Sequence, residues 1–245
     1  RTPGVEVEGI FTHYACADAR DKTHVTEQYR RFARVVEHFR DTRGISFKYV
    51  HAGNSATGVD TPAYTFNMLR LGVGMYGMYP SEEVNRSRVL LKPVMSLKTG
   101  VVMVKSLPRG CGISYGSRYV TQSDGECIAT LPVGYADGYS RLLTGKAEVL
   151  LRGKRAPVVG NICMDQCMVR VDDGAAAVGD EVVLFGAQGG EAITAEELAE
   201  ALGTIHYEVT CMVSHRVPRV YVKNGRVTEF HNPLLHFTNS GSIKS

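Results

Sequence analysis

The sequence predicts a mixed fold class, in which an α/β segment is followed by an all-β segment. Before about residue 90, strand-like runs alternate with a helix-like run, and polar residues follow the strands. From Leu91 onward, the apolar segments are short, β-rich and punctuated by Gly and Pro, which is typical of an all-β domain. We therefore expect domains at residues 1–90 and 91–232, followed by a loose tail at 233–245.

The first segment reads as strand, helix, strand and strand. Alternating residues predict strands over Val5–Thr12, Ile45–Val50 and Met68–Tyr76, and apolar residues at helical spacing predict a helix over His24–Phe39. Strands and helices that alternate, with polar residues at the strand ends, are the pattern of a parallel (β/α)8 barrel of the TIM type. Eight strands typically need about 250 residues. We therefore expect only the last portion of such a barrel and interpret the chain as a carboxyl-terminal fragment.

The second segment predicts one helix among short strands. Thr194 followed by Glu197 is a helix-start signal and Gly203 a stop, so a helix is expected over Thr194–Leu202. Strands are expected over Ser96–Val104, Glu126–Leu131, Ala147–Leu151, Met164–Val171, Glu181–Phe185, Arg219–Val222 and Arg226–Phe230.

Composition excludes several classes of function. Lys and Arg outnumber Asp and Glu by only 28 to 25 and form no long run, so no nucleic-acid partner is predicted. No apolar run approaches the roughly 20 residues of a membrane span, and the start lacks the features of a signal peptide, so we expect a cytoplasmic protein with no membrane partner. The six cysteines form no CxxC pair and no metal-finger spacing, which favours structural thiols and predicts no metal site.

Three motifs place chemistry-bearing side chains where Gly or Pro interrupts a strand. They are Ile113–Tyr119, Leu131–Tyr139 and Val159–Gln166. An interrupted strand can re-aim a side chain, so the three sites together suggest the rim of one pocket. Taken singly, each motif is explained about as well by tyrosines and glycines that shape a β-barrel.

The motifs, with two earlier ones and one later one, resemble the alanine racemase family. The resemblance runs from about Val5 to Phe230 and rests on six motifs in the family's order: HAGNS at 51–55, RLGVGMYG at 70–77, SYG at 114–116, GYADG at 134–138, ICMDQ at 162–166 and YE at 207–208. It implies the carboxyl-terminal two-thirds of a pyridoxal 5'-phosphate enzyme with a barrel and a β-domain. That enzyme would interconvert L- and D-alanine and supply D-alanine for peptidoglycan.

The resemblance implies two catalytic bases on opposite faces of the substrate Cα. One is the cofactor lysine, and the other, the base for L-alanine, corresponds to Tyr115. A free phenol has a pKa of about 10, so a tyrosine base needs a cation or hydrogen bond that favours phenolate. The resemblance implies a chain from Arg70 through His51 to Tyr115 in which both cations offer donors. The alternative for His51 is a core histidine.

Arg70 is further expected to face the pyridine nitrogen of the cofactor. A guanidinium does not readily give up a proton, so the ring nitrogen stays unprotonated and the electron sink is weakened, which disfavours side reactions. Related decarboxylases of similar architecture place a carboxylate there, so an arginine favours the racemase.

The resemblance also implies the phosphate contacts of the cofactor. They correspond to Ser55, with Asn54 beside it, the backbone at Gly72 and Val73, and Tyr207, because hydroxyls and strand-end amides satisfy phosphate oxygens. For Tyr207, a core tyrosine near a helix end is the alternative.

Two residues are expected to contact the substrate. The backbone amide of Met164 corresponds to a group that holds the substrate carboxylate, and Tyr135 corresponds to a gate that limits substrate size. Without its motif, Met164 would be taken as core filler. In the family, the β-domain of one subunit completes the active site of the other, so a homodimer with a large interface is implied.

The family's lysine motif, Lys-Ala-Asn-Ala-Tyr-Gly, does not occur in this sequence. The arginine that helps to hold the substrate carboxylate should also precede Arg1. We therefore expect that this chain alone does not racemise alanine and that activity belongs to a longer parent or a reconstituted pair of fragments.

Two alternative functions stay open. One is a non-catalytic module that dimerises or binds phosphate compounds, and the other is a serine or broad-specificity racemase of the same fold, including a domain of a membrane-anchored protein. A single side-chain group changes binding by only about 1–3 kcal/mol, so the sequence does not separate these substrates.

Overall fold

The computed structural model describes residues 2–235, and the chain forms two compact units, Arg1–Val94 and Met95–Ser245. The expected tail at 233–245 lies outside the described residues from residue 236 onward. Over the described range, no helix combines the length and the apolar character that crossing a membrane requires.

The first unit contains two parallel strands joined through a long helix. Its strands and helices are β1 (Gly9–Phe11), α1 (Thr23–Arg43), β2 (Tyr49–His51) and α2 (Ser55–Asp60). Strands β1 and β2 pair in parallel, with Phe11 opposite His51. Helix α1 buries Val25 and Phe32, and it ends at Gly44, which adopts the left-handed conformation that glycine favours. The predicted strand, helix and second strand are confirmed, although both strands are shorter than expected.

The strand predicted over Met68–Tyr76 is wrong. Leu69 makes only an isolated bridge to Gly53, and Val73–Tyr76 is a 3₁₀ helix. The reason is that Gly72 turns the backbone away from the extended conformation, and its N–H donates to a side chain instead of a sheet. The apolar residues that suggested a strand are partly exposed here, which the alternation could not reveal.

The second unit is built on an antiparallel sheet of eight strands. Its strands before the first helix are β3 (Leu97–Gly100), β4 (Met103–Leu107), β5 (Gly112–Ile113), β6 (Tyr119–Val120), β7 (Glu126–Leu131), β8 (Glu148–Leu151), β9 (Lys154–Val159), β10 (Cys167–Val171), β11 (Glu181–Gln188) and β12 (Glu191–Ile193). The sheet order is β12-β11-β8-β9-β10-β7-β4, β3 pairs with β11, and β5 and β6 form a separate pair. Leu131, Val149 and Val169 are fully buried, and nearly all residues of β7 and β8 are buried, so the central strands form the core.

Two helices and a hairpin complete the second unit. They are α3 (Ala195–Leu202), α4 (His206–Met212), β13 (Arg219–Lys223) and β14 (Arg226–His231). The hydroxyl of Thr194 accepts a hydrogen bond from the Glu197 N–H at 3.1 Å, and Gly203 ends α3 in the left-handed conformation. The predicted helix signals and the predicted last strand pair are therefore confirmed.

Candidate functional site

The guanidinium of Arg70 is held at the carboxyl ends of β1 and β2. Its Nη1 donates to Nδ1 of His51 at 2.5 Å, and its Nη2 donates to Nδ1 of His13 at 3.0 Å. Nη2 also lies 3.3 Å from the carbonyl oxygen of Thr12 and 3.4 Å from that of Ala52. His13 was not predicted as a site residue. Its place just after a strand, like that of His51 at the end of one, was the available signal.

The contacts of Arg70 fix the protonation of His51. A guanidinium has donors only, so the ring nitrogen that faces it must accept. Burial, and next the positive charge of Arg70, lower the pKa of His51 below its ordinary value. His51 is therefore neutral near pH 7 and carries its proton on Nε2. The lowered pKa of His51 disagrees with the expectation that Arg70 and His51 are both cations, because burial and the adjacent guanidinium both disfavour a charged imidazole. The ring of Phe11 stacks on His51 with ring centres 5.3 Å apart.

This arrangement predicts a pH dependence that involves His51. His51 binds fewer protons in the folded protein than in the unfolded chain between its lowered pKa and the ordinary value of 6.5. Its contribution to the free energy of unfolding should therefore rise with pH across that window. In an NMR titration, we expect a His51 pKa below 6.5 that moves upward in Arg70→Gln. The control Arg88→Gln, whose side chain binds the carbonyl of Asp60, should leave it in place. A His51 pKa at or above 6.5 would contradict the assignment.

Backbone donors and a hydroxyl converge beside the start of the 3₁₀ helix. Ser55 Oγ accepts hydrogen bonds from the N–H groups of Gly72 at 3.0 Å and Gly74 at 3.2 Å. Asn54 caps α2, because its Oδ1 accepts from the Thr57 N–H at 3.0 Å. Because the oxygen of Ser55 accepts both of these bonds, its hydroxyl hydrogen can donate elsewhere, and a hydroxyl donor held in this way fits a phosphate oxygen.

The three motifs of the second unit meet at one open cavity of about 560 Å³. Its lining residues are Tyr115, Tyr135, Arg141, Ile162, Cys163 and Met164. The predicted shared pocket rim is thus confirmed. The side chains of Tyr115 and Met164 are exposed, at 75% and 53%, so neither serves as core filler in this unit. Arg141 and Cys163 were not predicted as site residues, although Cys163 lies within the motif Val159–Gln166 and Arg141 lies two residues after Leu131–Tyr139.

The loops that carry Tyr135 and Met164 are joined through their backbones. The N–H of Tyr135 donates to the carbonyl of Cys163 at 3.1 Å, and the N–H of Ala136 donates to that of Met164 at 3.0 Å. A Cβ on Gly134 would lie 2.2 Å from the carbonyl oxygen of Cys163. Only glycine therefore permits this approach, which places the two motifs at one rim.

Replacement of Gly134 by alanine should separate these loops. We expect Gly134→Ala to lower the free energy of unfolding by about 1–3 kcal/mol, because the added methyl group must displace a backbone carbonyl. The matched control is Gly100→Ala, where the nearest atom to the added Cβ lies at an ordinary 3.7 Å and no such loss should follow. Urea denaturation of both variants measures the difference. Equal stability of the two variants would show that the close approach is not required.

The backbone of Tyr115 is fixed although its side chain is exposed. Asn161 donates from Nδ2 to the carbonyl of Tyr115 at 2.7 Å, and Ser114 Oγ donates to the carbonyl of Asn161 at 2.7 Å. Ser114 adopts a positive φ of 65° and Gly116 one of 72°, which gives a sharp turn around the tyrosine. The backbone of Tyr115 is therefore held in place, and its phenol lies at the cavity.

Tyr207 lies on α4 in the second unit, half-buried and next to the buried His206. It does not belong to the unit that holds Ser55 and Gly72, so its expected phosphate contact stays a prediction.

Two sequence profiles of known families match the chain. The one described as "Alanine racemase, N-terminal domain" matches residues 1–80, and the one described as "Alanine racemase, C-terminal domain" matches residues 94–221. Among curated relatives, the alanine racemase of Clostridium novyi is 48% identical over 232 residues, which cover 94% of this chain and 59% of that protein. The alanine racemase of Desulfovibrio desulfuricans is 50% identical over 220 residues, which cover 89% and 58%.

Solved structures give the same result. The alanine racemase of Clostridium difficile 630, in complex with cycloserine, matches with a TM-score of 0.86 and 43% identity over 93% of this chain and 59% of that chain. The alanine racemase of Bacillus anthracis with bound L-Ala-P matches with a TM-score of 0.89 and 40% identity over 96% and 60%. The chain thus spans about three fifths of the length of the relatives it matches.

Proposed function

The chain belongs to the alanine racemase family, and from that premise we propose that it forms part of an enzyme that interconverts L- and D-alanine with pyridoxal 5'-phosphate and supplies D-alanine for peptidoglycan. The observation that carries the proposal is the cavity at which Tyr115, Tyr135 and Met164 meet. By the family resemblance, Tyr115 corresponds to a catalytic base, and Tyr135 and Met164 correspond to substrate contacts. Residues 1–90 are the proposed barrel portion, and residues 91–232 the proposed β-domain.

The first unit supplies groups that fit the cofactor. When bound, pyridoxal 5'-phosphate supplies an electron sink for the charge left on the substrate Cα. The Ser55 hydroxyl, which the Gly72 N–H holds in place, would donate to its phosphate, and the backbone at Gly72 and Val73, Asn54 and Tyr207 are the further proposed contacts. Arg70 can only donate, so it would keep the pyridine nitrogen unprotonated and limit side reactions.

Tyr115 is the proposed base for L-alanine, and the cofactor lysine of the family is the base on the other face. Because His51 is neutral, we propose that its Nε2–H favours the phenolate by a hydrogen bond rather than by a second positive charge. Arg70 then holds the other nitrogen of that imidazole and fixes its tautomer.

The substrate contacts follow from the same assignment. The Met164 N–H would hold the carboxylate of a small amino acid, while Tyr135 would limit the size of its side chain. We propose a homodimer in which the second unit of one subunit completes the active site of the other. The enzyme then acts on a small-molecule substrate at two shared sites.

The proposal is tested with a fusion protein, the chimera, which joins the preceding segment of the Clostridium novyi alanine racemase to residues 1–245 of this chain. Incubation with pyridoxal 5'-phosphate, borohydride reduction and mass spectrometry should give one specific adduct, on a lysine of the added segment. The chain alone should give none. A specific adduct on a lysine within residues 1–245 would overturn the assignment of the cofactor lysine.

The same chimera can be used to test the loss of the Ser55 hydroxyl. In the chimera, Ser55→Ala should raise the dissociation constant for pyridoxal 5'-phosphate roughly tenfold, because a hydrogen bond to a charged phosphate is lost. Ser81→Ala is the matched control, since Ser81 Oγ donates to the carbonyl of Asp18 in the same unit. The absorbance of the bound cofactor measures both. Equal affinities of the two variants for pyridoxal 5'-phosphate would show that Ser55 does not contact the phosphate.

A further inference from the structure

Arg216 links the two loops that carry the proposed substrate contacts. Its Nε donates to Oδ1 of Asp137 at 2.7 Å, and its Nη2 donates to Oδ1 of Asp165 at 2.5 Å. Asp137 lies two residues after Tyr135, and Asp165 directly follows Met164. One guanidinium therefore ties both loops to the segment that follows α4.

Asp137 is the fixed end of this link. Its Oδ2 accepts from the N–H of Gly134 at 2.9 Å, and its carbonyl accepts from the N–H of Ser214 at 3.0 Å. The Asp137 side chain is 15% exposed, whereas that of Asp165 is 59% exposed. Arg216 thus connects a well-held carboxylate to a more exposed one on the Met164 loop.

The chemistry of this link requires an arginine. A planar guanidinium presents donors at fixed angles along two edges, so it can hold two carboxylates in one relative orientation. The positive charge also offsets the repulsion between the two carboxylates. Arg216 is partly exposed, and solvent-screened ion pairs contribute little to stability. Its main consequence is therefore orientation rather than stability.

We infer that Arg216 is a positioning residue, which holds the Met164 loop against the Tyr135 loop and so sets the affinity of the cavity for a substrate carboxylate. The loop geometry stands on the contacts above, while the effect on a carboxylate rests on the proposed function. Without Arg216, the hydrogen bonds from Tyr135 to Cys163 and from Ala136 to Met164 still join the loops, but they lose the side-chain support beside them.

The loop geometry is tested on the chain itself by amide hydrogen exchange. In Arg216→Gln, the protection of the Tyr135 and Ala136 amides should fall roughly tenfold. The matched control is Arg219→Gln, because Arg219 donates to the carbonyls of Val213 and Val217, close to it in the chain. The control should leave both amides unchanged. Arg216→Lys keeps the positive charge but lacks the planar guanidinium. The protection of the two amides in this variant should therefore lie between that in the wild type and that in Arg216→Gln.

Two outcomes would overturn the positioning role. One is unchanged protection in Arg216→Gln, and the other is an equal loss in Arg219→Gln, which would indicate a general loosening of the segment. If Arg216→Gln does not fold, Asp165→Asn removes one arm at an exposed position and should loosen the same amides.

The effect on substrate is tested separately in the chimera. There, Arg216→Gln should raise the KM for L-alanine roughly tenfold and change kcat less, because a ground-state contact to the carboxylate is weakened. Lowered protection of the Tyr135 and Ala136 amides together with an unchanged KM would overturn the inferred effect on the carboxylate. An unsubstituted chimera without racemase activity would count against the proposed function, and the exchange result would still decide the role of Arg216 in the loops.

Discussion

Replacing Tyr115 with phenylalanine should lower racemisation of alanine by the chimera by roughly 10²–10⁴-fold, the usual contribution of a general acid or base. The substitution removes one oxygen from an exposed side chain whose backbone is held by Asn161, so the fold should not change. The effect should also depend on the face of the substrate. In D₂O, Tyr115→Phe should lose exchange of the L-alanine Cα proton while it keeps exchange of the D-alanine proton.

Tyr119→Phe is the matched control for this prediction. Tyr119 belongs to the same motif, but its hydroxyl binds Glu126 and Arg170 rather than the cavity. The control can lose stability but should keep its kcat. If Tyr115→Phe racemised alanine as fast as this control, Tyr115 would not be the base.

Replacing Arg70 with glutamate should have the second large effect. A carboxylate accepts where a guanidinium donates, so the pyridine nitrogen of the cofactor would become protonated. We expect racemisation to fall roughly 100-fold, the order of loss when one electrostatic partner of a reacting group is removed. Formation of pyruvate by transamination should rise, since Arg70 no longer weakens the electron sink. Coupled assays for D-alanine and pyruvate measure the two changes.

Two further variants separate the role of Arg70 at the cofactor from its structural role. Arg70→Lys also has donors only, so it should keep pyruvate formation low even if the contacts to His51 and His13 are lost. Arg88→Gln changes another arginine of the same unit and should alter neither product. Pyruvate formation in Arg70→Lys as high as in Arg70→Glu would contradict the proposed role.

Local chemistry made a large part of the fold predictable. The side chain of Thr194 caps α3 and Gly203 ends it, and both effects depend on neighbours within one turn. The short, β-rich segment Glu126–Leu131 was predicted as a strand from its composition, and it forms β7, which pairs with β10. At the site, Gly and Pro marked the strand ends at which Tyr115, Tyr135 and Met164 lie.

The remaining features depend on contacts between residues far apart in the sequence. Met68–Tyr76 has the alternation of a strand, but Gly72 and Gly74 donate to Ser55, and only Val73–Tyr76 is regular, as a 3₁₀ helix. Arg216 gave no signal, because its partners lie 79 and 51 residues away. The neutral state of His51 depends in part on Arg70, which approaches from 19 residues away.

The proposed racemase function is best tested by racemisation of L-alanine by the chimera with pyridoxal 5'-phosphate, followed as the formation of D-alanine. We expect conversion in both directions, with L-serine turned over more slowly and with no conversion by residues 1–245 alone. A folded chimera that binds the cofactor but leaves L-alanine unchanged would contradict the proposed function. So would robust racemisation by this chain alone.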